Sequence, residues 1–113
     1  MAVVDGDSGR VIATLPIGGG VDGIAFDPAT ALAFASNGEG TVTVVHEDSP
    51  EKFTLVGDVP TKRGAKTLAL DGATHRIYLS AAQFGPPPSP TAENPKPRPS
   101  VLPGTFEILV VER

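Results

Sequence analysis

Apolar residues in this chain come in short runs, bulky side chains alternating with small or polar ones, and Gly, Pro, Asn or Asp closes each run within a few positions. Val11-Ile12-Ala13-Thr14-Leu15 and Thr41-Val42-Thr43-Val44-Val45 are representative. No window offers even three uninterrupted helical turns, and the Val, Ile, Thr and Phe content suits a half-buried pleated surface. Asp5-Gly6, Asn37-Gly38 and Asp71-Gly72 mark tight reversals, because Gly and Asn tolerate the positive φ that such turns require. The pattern predicts nine strands: Ala2 to Asp5, Val11 to Ile17, Gly23 to Asp27, Leu32 to Ser36, Thr41 to His46, Phe53 to Val59, Thr67 to Asp71, Arg76 to Ala81 and Phe106 to Glu112.

The strands repeat. A shift of 44 lays Asp27-Pro28-Ala29-Thr30 over Asp71-Gly72-Ala73-Thr74, Phe34 over Tyr78 and Ser36 over Ser80; upstream, Pro16 falls on Pro60, Gly20 on Gly64, Ile24 on Leu68 and Phe26 on Leu70. A shift of 41 lays Val3-Val4-Asp5 over Val44-Val45-His46, the difference being a small insertion around Pro50 to Lys52 of the kind turns absorb. Ile108-Leu109-Val110-Val111 matches Val42-Thr43-Val44-Val45 at a shift of 66, so 22 residues, Gln83 to Gly104, have been added. A period in the low forties fits either helical repeats or four-stranded propeller blades, and the strand pattern decides for blades.

The expected fold is therefore all-β: a β-propeller segment of about two and a quarter four-stranded antiparallel blades. Residues 1–17 supply the two outer strands of one blade, 18–60 a full blade, and 61–113 a final blade interrupted by the insertion at 83–104. In Gly23-Ile24-Ala25-Phe26 and Thr67-Leu68-Ala69-Leu70 bulky residues alternate with small ones, as in an inner strand covered by neighbouring sheets on both faces. Ile24, Phe26, Leu68 and Leu70 are accordingly expected to be buried at equivalent positions. A β-sandwich is the alternative, but sandwiches do not usually repeat their turn residues at a fixed period.

The segments Val3 to Gly18, Asp22 to Pro28 and Phe34 to Asn37 resemble the YVTN repeat of the YncE-like β-propeller proteins. The eponymous Tyr-Val-Thr-Asn stands here as Phe34-Ala35-Ser36-Asn37 and again as Tyr78-Leu79-Ser80-Ala81. The resemblance implies a seven-bladed parent of which this chain is the C-terminal third, and it admits a periplasmic or secreted parent; the chain itself does not decide the compartment. It also implies an alternative to a binding role, since similar propellers include lactonases and quinone-linked dehydrogenases whose sites gather residues from many blades.

Composition narrows the field. The 113 residues carry 9 Lys and Arg against 13 Asp and Glu, net −4, which argues against a surface that binds nucleic acid through excess positive charge. No apolar stretch approaches the ~20 residues of a membrane-spanning helix, so no membrane span is expected. The absence of Cys excludes disulfides, thiolate metal sites and a cysteine nucleophile.

Chemistry-bearing motifs are sparse. Gly18-Gly19-Gly20-Val21-Asp22-Gly23 satisfies G-x-G-x-x-G, but a strand follows where the dinucleotide motif needs a helix N-terminus. His46 and His75 occupy unrelated repeat positions and are expected to be exposed turn or edge residues, while Asp27 and Asp71 recur with the repeat and are expected to brace turns. No catalytic, metal or cofactor residue is assigned, and no cofactor is expected. The candidate ligand-binding residues lie where the repeats disagree: Asp22 in one blade becomes Lys66 in the next, and the loop before it adds Lys62 and Arg63. At the channel mouth these would form a positive rim for a small anionic ligand, with Asp22 opposite.

The insertion holds seven of the twelve prolines between Phe84 and Ser100, too few apolar residues for a core of its own, and it should emerge beside the loops that join successive blades. The favoured function is non-catalytic: a scaffold that binds a ligand or protein, or self-associates in about three copies, through blade faces left bare.

Overall fold

The computed structural model describes residues 1–112, which form nine strands and, among the described residues, no helix. Strands β1 (Ala2–Val4) and β2 (Val11–Thr14) pair as a two-stranded sheet; β3 (Val21–Asp27), β4 (Leu32–Asn37), β5 (Thr41–Ser49) and β6 (Lys52–Pro60) make a four-stranded sheet in that order; β7 (Lys66–Asp71), β8 (Arg76–Ala81) and β9 (Glu107–Val111) make a three-stranded one. All pairings are antiparallel between sequence neighbours. The protein is all-β, with each predicted strand in place. The largest differences are in β2, which ends three residues before the expected Ile17, and in the β5–β6 hairpin, which extends to Ser49 and begins again at Lys52. Among the described residues, no helix is long and apolar enough to cross a membrane.

The core lies between the four-stranded and three-stranded sheets. Register puts Leu32, Phe34, Val42 and Val44 on one face of the first and Leu70, Ile77, Leu79, Leu109 and Val111 on the facing side of the second. Ile77 and Leu79 are each 1% exposed, and Val42 is fully buried. The sheets come closest at the inner strands: a Cβ on Gly23 of β3 would stand 3.2 Å from the Leu68 Cβ of β7. A larger residue at 23 would wedge the sheets apart.

Two sequence expectations fail at β3. Ile24 is 61% and Phe26 45% exposed, whereas their repeat equivalents Leu68 and Leu70 are half-buried in the core. The alternation was correct and the side chains share one face of β3, but among the described residues the only sheet on that side is β1–β2. It touches the four-stranded sheet at β6, the strand farthest from β3. The segment between β2 and β3 covers the middle of the face, where the Gly18 N–H donates to Thr43 Oγ1 and Ala35, Thr43 and Val45 are fully buried. Among the described residues, no second sheet covers Ile24 and Phe26, which stay largely exposed. The opposite end is equally open: Phe106 is 65%, Ile108 53% and Val110 52% exposed on the outer face of the three-stranded sheet.

Candidate functional site

The four residues singled out from the repeat lie around the connection between β6 and β7. That loop is fastened to the β4–β5 turn: the Thr61 N–H donates to the Gly40 carbonyl and the Gly64 N–H to the Gly38 carbonyl, both at 2.8 Å. Gly40 has φ of 108°, and a Cβ there would stand 3.0 Å from the Arg63 nitrogen, so only glycine lets the loop settle this closely. The other side of the same turn is fastened to the β2–β3 segment, where the Gly38 N–H donates to the Gly20 carbonyl at 2.8 Å. The glycine-rich run after β2 is thus a backbone clasp followed by a strand.

Lys62 and Arg63 of this loop line a cleft of about 560 Å³, which Phe84, Pro99 and Leu102 of the proline-rich insertion line as well. Lys62 is ion-paired with Glu107, which also lines the cleft, whereas Arg63 makes no ion pair among the described residues. Lys66 lines a smaller adjoining cleft of about 160 Å³ that shares Gly64 and Phe84. Asp22 lines neither: its Oδ2 accepts the Thr67 N–H at 2.8 Å, tying β3 to β7. Thr67 has φ of +60°, costly for a β-branched residue, and this bond holds it there. The structure therefore gathers the three cations about one loop and gives the carboxylate a bracing role of its own.

The insertion emerges beside that loop, as its place in the repeat predicts. Its base is zipped, with a bridge between Phe84 and Val101 and hydrogen bonds from the Gly85 N–H to the Ser100 carbonyl at 2.9 Å and from the Leu102 N–H to the Gln83 carbonyl at 2.8 Å. The run from Pro86 to Pro99 beyond it makes no strand pairing.

Asp27 and Asp71 brace their turns as expected. Each Oδ1 accepts the N–H two residues on, from Ala29 at 3.1 Å and Ala73 at 2.9 Å, and each Oδ2 accepts a hydroxyl, from Thr30 at 2.8 Å and Thr74 at 2.7 Å. Burial works against the Asp27 charge, but the bonds from Thr30, His75 and Ala29 outweigh it and hold its pKa below the usual carboxylate value. For Asp71 the bonds from Thr74 and Ala73 do the same.

His75 lies in a turn as expected, but it is half-buried, where exposure was expected, and it has a partner. Its Nδ1 lies 2.7 Å from Asp27 Oδ2, so it reaches across the sheets to a carboxylate whose side chain is 2% exposed. It sits at φ of +60°, and its repeat equivalent Ala31 sits at +55°, the same turn with no side chain to reach out. Sequence reasoning missed this clamp, although one signal was available: His75 and Ala31 differ at a position whose flanking Asp and Thr repeat. His46 is likewise paired, its Nδ1 2.7 Å from Asp48 Oδ1, while Asp48 also accepts the Thr54 hydroxyl. The Thr54 and His46 bonds lower the Asp48 pKa against the cost of burial.

A second groove of about 200 Å³ runs between the outer parts of the sheets, lined by Phe34, Val44, Val56, Val59, Ile77 and Val111. It lies beside the unpaired edge of β9, where the four-stranded sheet has β6 and the three-stranded sheet has no fourth strand. Val56, 62% exposed, is the extra residue of a bulge in β6, since Val44 pairs with Gly57 and Val45 with Leu55. Among the described residues, no group of three or more His, Cys, Asp or Glu side chains is placed to hold a metal ion. Set against family models, curated proteins and solved structures, the chain matches none of them.

Proposed function

We propose that the chain is a β-propeller-type repeat segment of the YVTN kind, its three sheets being successive blades, and that it acts as a non-catalytic scaffold. The observation that carries this reading is the pair of bare apolar faces at either end of one well-packed interface. Ile24 and Phe26 lie at one end and Ile108, Val110 and Phe106 at the other, all between 45% and 65% exposed. Faces that repeat-mates bury against each other do not stay in water without cost, so their role is to receive another blade-like surface. A smaller role falls to the cleft beneath the insertion, where Arg63, flanked by Lys62 and backed by Phe84, offers a guanidinium to a small anionic ligand.

The test is to place charge on both faces in one chain, Ile24→Glu with Val110→Glu, and to follow sedimentation across protein concentration. The reading expects wild-type chain to associate at micromolar concentration and the double variant to remain an 11.6 kDa monomer with unchanged far-ultraviolet circular dichroism. Wild-type chain that is monodisperse and monomeric throughout overturns it. For the cleft, titration with inorganic phosphate should show binding by wild-type chain that Arg63→Ala loses; equal binding by both removes Arg63 from the reading.

A further inference from the structure

The interface inside the chain specifies what the bare faces receive. Its one side is Gly23, Ala25 and Asp27 of β3 with Phe34, Val42 and Val44; its other side is Leu68 and Leu70 of β7 with Ile77 and Leu79. Shifting the second side back by 44 turns Leu68 and Leu70 into Ile24 and Phe26, which are bare. Shifting the first side forward turns Ala25, Phe34, Val42 and Val44 into Ala69, Tyr78, Ile108 and Val110, where Ile108 and Val110 are bare and Tyr78 pairs with Val110 on the same face. The open strips repeat the inner-strand part of the interface the chain already makes; Ile77 and Leu79 shift to Ala33 and Ala35, of which Ala35 is already fully buried.

We propose that the occupant is a second copy of this chain, docked head to tail, with Ile24 and Phe26 of one copy on the Tyr78, Ile108 and Val110 face of the next in the register of the internal interface. The proposal rests on the scaffold reading above. It makes one further structural demand. β1 and β9 hold the same rank in their sheets, so docking brings β9 of one copy to where β1 of the other stands. β1 is the weaker holder: it pairs with β2 over only Ala2–Val4, with a register break, while β9 pairs over five residues with β8 and keeps its other edge free. β2 then transfers from β1 to β9 of the neighbouring copy. That transfer supplies the three-stranded sheet with its missing fourth strand and lays cover over the groove at Val56 and Val111. Each copy thereby contributes two complete sheets, so about three or four copies close a ring within the four to eight blades that propellers use.

The polar clamps of the internal interface do not carry over, and this makes the register testable. Asp71 stands where Asp27 does, with the same turn bonds, but Ala31 stands where His75 does. Ala31→His therefore places an imidazole opposite Asp71 of the neighbouring copy, on a backbone already at φ of +55°, a conformation His adopts more readily than most residues. Sedimentation equilibrium is run on wild type, Ala31→His, Ala31→Gln, Ala31→His with Asp71→Asn, and a chain lacking residues 1–8, each checked for folding by circular dichroism.

Ala31→His should tighten association roughly tenfold, as a charge-assisted bond does, Ala31→Gln should not, and Asp71→Asn should cancel the gain. Removing β1 should strengthen association, because it frees β2. Association that Ala31→His leaves unchanged, or a gain that survives Asp71→Asn, overturns the proposed register while the scaffold reading stands. Loss of association on deleting residues 1–8 from a folded chain overturns the strand transfer. Wild-type and Ala31→His chains that both remain monomeric overturn the proposal and the scaffold reading together.

Discussion

The turns at Asp27 and Asp71 have nearly the same sequence and the same hydrogen bonds within the turn, yet one carboxylate is buried and the other only half-buried. Asp27 is 1% exposed because the three-stranded sheet lies against it and His75 reaches it from there. Asp71, with Ala73 and Thr74 in the same roles, has among the described residues no sheet on that side and no histidine. The same holds for Leu68 and Ile24: equivalent residues on equivalent strands, one packed and one bare. Local structure is thus the property of a repeat, whereas burial belongs to the pair of repeats that meet. A repeat protein is stabilised through its interfaces more than through its units.

The contrast is broken most strongly in the core. Leu79→Ala should cost about 2–5 kcal/mol in urea unfolding, the usual cost of emptying a close-packed position, whereas Ile24→Ala, measured on monomeric chain, should change stability by less than about 0.5 kcal/mol, as exposed substitutions do. Equal effects would show that the bare face is packed in solution.

The next effect separates the two turns. Asp27→Asn removes the acceptor for both Thr30 and His75 and should lower the unfolding midpoint more than Asp71→Asn, which loses only Thr74. Matching losses would assign the stability to the turn bonds and none to the clamp.

Acid sharpens the same comparison. Both carboxylates have folded-state pKa values held below the unfolded value of about 3.9, so the unfolded chain takes up protons first as pH falls. Their contribution is complete above about pH 5, erodes below about pH 4, and is gone once pH has passed through the folded values. A plot of unfolding free energy against pH should therefore fall on the acid side, and it should fall less steeply in Asp27→Asn; a variant with the wild-type slope would mean that Asp27 does not titrate differently in the folded state.

The smallest effect is expected from the insertion. Replacing Pro86 to Pro99 with a short turn leaves the Phe84–Val101 bridge as its base and should change stability by less than about 1 kcal/mol, because the excised run contributes no strand pairing and a shorter loop is easier to close. Loss of cooperative unfolding would show that this segment packs on the body of the protein.

What the amino-acid sequence determined by itself was local and periodic. Alternation, turn residues and the shift of 44 located nine strands, their pairing into sheets and the bracing role of Asp27 and Asp71, because each depends on residues close together in the chain or on recurrence at fixed spacing. Tertiary structure alone decided which faces are covered. Ile24 and Leu68 look alike in sequence, and only the position of β1–β2 against β6 leaves one of them bare. It also decided that Asp22 ties Thr67 in place apart from the three cations, and that His75 reaches Asp27, a partner 48 residues away that no local pattern names. The physical reason is the same throughout: hydrogen bonding within a turn or ladder is settled by short-range geometry, while desolvation depends on which surface arrives from elsewhere in the chain.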